Sequence, residues 1–198
     1  MKAAATVDAH EQLAPGYMQL LDGTRADLFN PRPEWFAIGA LAHSLASKYR
    51  WGGQSYGRIT VAQHCSLVSR QFDDDPELAT YAQLHEMDEH LLPEVVSPLK
   101  RVRQMRWFRE LCERHMKAGS EWYGLKYPWP KKIADAIKRA DLAVCEAEAR
   151  DLTANAEWRR PPGVTAIHSK IVPVHPDLAE MIFKRRLESL LEKRRQPS

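Results

Sequence analysis

His64, His85, Glu86 and Asp141 are side chains of the types that hold a divalent cation, two imidazoles and two carboxylates. His64 falls in an apolar helical run with Val61, Cys65, Leu67 and Val68. His85 follows Leu78, Tyr81, Ala82 and Leu84 and leads directly into Glu86. Asp141 is in helical phase with Ile137, Val144 and Glu148. A carboxylate on a core-facing stripe must be paired or bound to a cation, because burying it alone is costly. Drawn from three helices, these four side chains make an ordinary nitrogen and oxygen site for a divalent metal. The bland alternative is a pair of satisfied core histidines with Asp141 bound to an arginine.

The run His85-Glu86-Met87-Asp88-Glu89-His90 is similar to the helical motif of zinc proteases but is one residue too long. Residues i and i+4 lie about 40° apart around a helix, whereas i and i+5 lie about 140° apart. His85 and His90 therefore cannot share a metal on one helix face, and metalloprotease chemistry is set aside.

The elements that must carry these residues are predominantly helical. Tyr17–Leu21 reads as a short extended piece before the turn Asp22-Gly23, and Asn30-Pro31-Arg32-Pro33 punctuates the chain. Helical spacing follows over Trp35–Tyr49, from Thr60 as N-cap, and from Asp74-Asp75-Pro76-Glu77. Longer helices are expected over Arg103–Lys117, Lys131–Leu152 and Asp177–Arg194. The last of these buries Leu178, Met181, Ile182, Leu187, Leu190 and Leu191. Pro-rich loops are read at Tyr127-Pro128-Trp129-Pro130, Arg160-Pro161-Pro162-Gly163 and Val172-Pro173-Val174-His175-Pro176. The expected fold class is all-α, one domain over 1–198, with a core at 36–152 and a C-terminal helix at 177–194.

Composition bounds the function. The 198 residues are 44% hydrophobic, enough for a real core in a single domain. Lys and Arg number 29 against 26 Asp and Glu, a net charge of +3. Such balance makes nucleic acid an improbable partner on bulk charge, although it leaves room for a local patch. The basic end of the last helix (Lys184-Arg185-Arg186 and Lys193-Arg194-Arg195) reads as a solvated helix terminus favoured by the dipole, with a nucleic-acid surface as the alternative. No apolar stretch spans a membrane and the first residues lack a signal-peptide core. Cys65, Cys112 and Cys145, far apart and odd in number, read as buried reduced thiols of a cytoplasmic protein.

A wider set of motifs carries a family resemblance. Arg50-Trp51-Gly52-Gly53, Val61-Ala62-Gln63-His64, Leu84-His85-Glu86, Glu89, Glu94, Ser97-Pro98-Leu99-Lys100, Ala140-Asp141-Leu142 and Glu148-Ala149-Arg150-Asp151-Leu152 occur in this order. Together they resemble the HD-domain phosphohydrolases. Within that superfamily the pattern is similar to the phage and prophage nucleotide phosphohydrolases, including dATP triphosphohydrolases, and more distantly to 5′-deoxynucleotidases. The resemblance spans roughly residues 36–152.

It implies a compact HD-type helical bundle with one metal held by His64, His85, Glu86 and Asp141. It implies a divalent transition ion (zinc, manganese, cobalt or iron), with a second magnesium or manganese ion as an option. Glu89 and Glu94 fall on the family's catalytic acidic positions, and Arg50 and Lys100 on basic positions that face substrate phosphate. Trp51 beside them suits stacking on a base, and equally suits an ordinary core tryptophan. The implied activity is metal-assisted attack of water on phosphorus in a nucleotide, a deoxynucleoside mono- or triphosphate. Three positions depart from the pattern. Glu86 replaces the namesake aspartate and is one methylene longer, about 1.5 Å of added reach. Glu94 stands in place of aspartate, and Gln54 in place of a histidine. These departures leave a second reading, a degenerate HD module that binds a nucleotide or a protein partner without turnover. An apolar stripe on the last helix suits a homo-oligomer.

Overall fold

The computed structural model describes residues 15–154 and 163–195. The N-terminal stretch and Arg160-Pro161-Pro162 lie outside the described residues. Seven α-helices and one two-stranded ribbon make up the regular structure among them. Strand β1 (Tyr17–Gln19) pairs antiparallel with β2 (Arg25–Asp27), Met18 opposite Ala26, and the connection turns at Gly23 with φ +86°. The fold class is all-α, as the spacing of apolar residues predicts.

Helix α1 (Ile38–Ala46) buries Leu41, Ala42, Leu45 and Ala46, a stripe at helical spacing. Helix α2 (Val61–Ser69) starts where Thr60 accepts a hydrogen bond from the Gln63 amide through its hydroxyl, a cap worth about 1 kcal/mol. Helix α3 (Pro76–Gln83) is capped in the same way by Asp75, whose carboxylate accepts from the Leu78 amide at 2.9 Å. After a one-turn α4 (Ser97–Lys100) come α5 (Arg106–Trp122), α6 (Lys131–Leu152) and α7 (Pro176–Arg195). α2 packs against α1, α3, α6 and α7 at once, which explains why nearly every one of its residues is buried. His64 thereby comes to the centre of the molecule.

Several helical boundaries and one buried face differ from the sequence expectation, beginning with α1, which covers Ile38–Ala46 instead of Trp35–Tyr49. The helix expected over Arg103–Lys117 begins at Arg106 and continues to Trp122, because Arg103–Met105 forms a separate 3-10 turn. α3 ends at Gln83, so His85 and Glu86 sit in the turn that follows, and Met87–His90 is a 3-10 turn. In α7 the buried stripe is Ala179, Phe183, Leu187 and Leu190, while Leu178 and Met181 face outward. Phe183 is large enough to set the register: burying it gains about 2–3 kcal/mol, and this rotates Leu178 and Met181 away from the core. Cys65 is buried, but Cys112 and Cys145 are only half-buried, and all three are free thiols.

Gly119 in α5 is a packing contact. A Cβ there would lie 2.6 Å from the Met87 sulfur and 2.9 Å from Cδ1 of Phe36, both fully buried. Overpacking of this kind costs about 2–3 kcal/mol. A Gly119→Val variant is therefore expected to unfold at clearly lower urea concentration than the native chain. An unchanged midpoint would show that Met87 moves aside without cost.

Candidate metal centre

Three separate pieces of backbone deliver the four predicted ligands to one place. α2 supplies His64, the turn after α3 supplies His85 and Glu86, and α6 supplies Asp141. One donor atom from each lies within 4.8 Å of the others. The His64 Nε2 atom is 3.2 Å from the His85 Nε2 and 3.2 Å from the Asp141 Oδ1. The Glu86 Oε1 lies 3.7 Å from the His85 Nε2. Ligand bonds of about 2.1 Å allow separations up to about 4.2 Å across one ion, so these three distances suit a shared cation.

The opposite ring nitrogens are already occupied. The His64 Nδ1 is 2.7 Å from the Glu148 Oε1, both groups fully buried, and the His85 Nδ1 is 2.8 Å from the Ala82 carbonyl. Each Nδ1–H donates away from the cluster, which turns both Nε2 lone pairs toward each other and toward Asp141. Lone pairs so placed repel unless a positive charge sits among them. That charge is a proton on the His64 Nε2 or a divalent cation in its place. The donor set thus fits a metal.

The protonation pattern follows from the same arrangement. Burial and Arg50 oppose a charge on His64, but the Glu148 and Asp141 carboxylates hold its pKa above the usual value. Burial lowers that of His85. Against burial, His64 holds the Asp141 carboxyl well below its ordinary range. Glu148 is likewise held down to about 2, against burial, by Arg50 and His64.

Glu148 is the functional residue that the sequence reading left out of the ligand set. It lies two turns beyond Asp141 on α6 and therefore on the same face. Its carboxylate accepts from His64 Nδ1, from Arg50 Nε at 2.9 Å and from Trp51 Nε1 at 3.0 Å. The signal was its helical phase with Asp141. A second donor group, His64, Cys145 and Glu148, does not suit a cation. The Arg50 guanidinium already holds its place, with Nη2 donating to the Cys145 sulfur at 2.9 Å.

Arg50 and Trp51 are directed inward, behind His64. A bridge between Tyr49 and Thr60 fastens this loop to the start of α2, and Tyr56 N donates to the Leu152 carbonyl at 2.6 Å. Trp51 packs by the small cluster of Ile59, Ala147, Leu152 and Ile171. It takes a left-handed φ of +64°, followed by Gly52 at +58° and Gly53 at +75°. For a non-glycine residue such a conformation costs roughly 1–3 kcal/mol, and its bond to Glu148 helps to hold it.

On the other side of the cluster, Lys100 donates to Oε1 of Glu89 at 2.7 Å. The Glu89 Oε2 is buried with no partner among the described residues. Burial and neighbouring Glu86 push this carboxyl up to about 8 against the pull of Lys100. Lys48 fixes the turn that carries Glu89, donating to the carbonyls of Glu89, His90 (2.9 Å) and Leu92 (3.0 Å). Glu94 is half-buried at the edge of this side, where its carboxylate meets the Gly52 amide, and burial raises its pKa. His90 is turned away from the centre, its Nδ1 2.6 Å from the Ser44 hydroxyl and its Nε2 donating to the Trp35 carbonyl at 2.9 Å.

Fold and site together define an all-helical protein with a histidine–carboxylate centre able to hold a metal ion. No protein-family model matches the chain. It belongs to the same family as the uncharacterized protein RCAP_rcc00048 of Rhodobacter capsulatus, to which it is 32% identical over 148 residues, 71% of this chain and 75% of that one. It is also similar to the uncharacterized protein YfdR of Escherichia coli, 29% identical over 161 residues, which cover 80% and 86% of the two chains. Among the described residues no helix is long and apolar enough to cross a membrane.

Proposed function

We propose that this protein is a metal-dependent phosphohydrolase of nucleotides, with deoxynucleoside mono- or triphosphates as its substrate class. The observation that carries the metal half of this reading is the pair of Nε2 atoms 3.2 Å apart with Asp141 beside them. The phosphohydrolase half rests on the HD-domain resemblance of the motifs that supply those ligands. His64, His85, Glu86 and Asp141 would hold the ion. A bound divalent ion would supply Lewis-acid polarisation of a phosphoryl oxygen and a water of lowered pKa.

The chain's own groups have definable tasks in this reading. Glu148 and the Ala82 carbonyl fix the two imidazoles in the Nδ1–H tautomer. Glu89 presents an unpartnered oxygen, Oε2, at which a proton can be held. Lys100, partly exposed beside Glu89, is the cation available to substrate phosphate once it leaves that carboxylate. Arg50 acts at second hand, as the counter-charge of Glu148, and Trp51 anchors the loop through the same carboxylate instead of offering its N–H outward.

The alternative, a module that binds a nucleotide or a protein partner without turnover, has one observation in its favour. Both cations expected to face phosphate are committed to carboxylates, Arg50 to Glu148 and Lys100 to Glu89. Elemental analysis of protein purified without chelator separates the readings' first step. About one equivalent of a transition metal is expected, and its loss in a His64→Ala variant. Metal-loaded protein is then expected to release phosphate or tripolyphosphate from deoxynucleotides. No metal, and none taken up from manganese, cobalt or zinc, overturns the proposal. Metal without turnover leaves the binding module.

A further inference from the structure

From Val95 to Arg109 the chain carries Lys100, Arg101, Arg103, Arg106 and Arg109 and no carboxylate, although the protein as a whole is nearly balanced. The same segment exposes large apolar side chains, Val96 at 36%, Leu99 at 49%, Val102 at 40% and Trp107 at 57% of their surface. Four such side chains in twelve residues form an unusual concentration on a surface where apolar exposure is normally scattered. The cations differ in how free they are. Arg109 is spent on the carbonyls of Lys100 and Val102, and Arg106 pairs with Glu110 at 2.8 Å. The Arg101 side chain uses only its Nε among the described residues, on the Ser97 carbonyl. The Arg103 guanidinium makes no hydrogen bond or ion pair among the described residues, so its charge and most of that of Arg101 are available to a partner.

We propose that the segment 96–107 is a docking surface for single-stranded nucleic acid. Its chemistry interleaves the two contacts such a strand needs, guanidinium groups for phosphates and apolar or aromatic faces for bases, with Trp107 as the stacking platform. The exposed cations are arginines, which bind phosphate bidentately and stack as well. An anionic membrane is disfavoured by the geometry. The segment is broken into a one-turn helix, a 3-10 turn and the start of α5, so it presents no continuous amphipathic helix with separate charged and apolar faces. An A-form or B-form duplex is disfavoured because Val96, Leu99 and Trp107 would meet a sugar–phosphate wall with no exposed base face.

The test is fluorescence anisotropy of a labelled oligothymidylate of about twelve nucleotides, comparable to the span bound by one single-strand module. Native protein and the Arg101→Glu/Arg103→Glu and Trp107→Ala variants are titrated at several salt concentrations. Binding is expected at low salt, weakened about tenfold or more in each variant, and the charge-reversed protein should lose about 1.4 from the log–log salt slope. A duplex of the same length should bind less tightly. No binding at low salt, or binding equal in all three proteins, overturns the proposal. So does binding of phosphatidylserine vesicles lost in the same variants while the oligonucleotide is ignored. All substituted side chains are exposed, and unchanged metal content and circular dichroism keep the result independent of the hydrolase reading.

Discussion

A Glu148→Gln variant is expected to bind metal about 10–100-fold more weakly than the native chain, because outer carboxylates that orient ligand histidines contribute about that much. Its carboxylate accepts three hydrogen bonds, from His64, Arg50 and Trp51. An amide has one accepting oxygen, and its NH2 group would face an N–H on the other side. The His64 ring then loses the bond that keeps its proton on Nδ1 and its Nε2 lone pair toward Asp141. The same substitution leaves the buried Arg50 guanidinium without its counter-charge, and stranding one member of a buried pair costs about 3–5 kcal/mol. Chelator competition reads the first effect and urea unfolding the second. Nitrogen-15 shifts of His64 report the tautomer directly, and Glu148→Asp should recover part of both losses. Native metal affinity and stability in the glutamine variant would mean that Glu148 does not orient the site.

The second large effect concerns acid stability and lies at His90. Burial is the main cause that lowers this imidazole from 6.5 to about 4, with Lys48 and His115 adding to it against the Trp35 carbonyl. The folded protein therefore resists a proton that the unfolded chain accepts. Between pH 6.5 and 4 the unfolded state binds more protons, so stability falls as pH drops through that window. At pH 5 the loss from this group is about 2 kcal/mol, rising to about 3 kcal/mol at pH 4. In a His90→Gln variant the amide can still donate to the Trp35 carbonyl, and it has nothing to titrate. Urea unfolding at pH 7, 6 and 5 is expected to show the native chain losing about 2 kcal/mol more than the variant between pH 7 and pH 5, whatever their difference at pH 7. Parallel curves would show that His90 takes up its proton in the folded state without penalty.

Much of this molecule follows from local rules. Thr60 and Asp75 cap the helices they precede because their side-chain oxygens meet otherwise unpaired amides within three residues. Residues Lys131–Leu152 form one helix with Asp141 on its buried stripe, and that periodicity is a property of the chain alone. His64, His85, Glu86 and Asp141 were identifiable as a donor set because polar groups in apolar runs demand partners. Where the signals were weaker, tertiary packing prevailed. The stripe of α7 admits two registers, and the size of Phe183 chose the one that exposes Leu178 and Met181.

What only the tertiary structure decided is which polar groups meet. Glu148 stands 84 residues from His64 in the chain and 98 from Arg50, and no local spacing encodes such pairs. Arg50 and Trp51 were legible as a basic and an aromatic residue, but their direction, inward onto one carboxylate, depends on a left-handed turn and on where α6 lies. Lys48 reaches the carbonyls of the Glu89 turn only because α1 packs beside it. Short-range hydrogen bonds and apolar periodicity act within a few residues and are written in the sequence. The convergence of charges in the core is set by helix packing, because only there does the loss of water make each buried charge depend on the partner that distant segments bring to it.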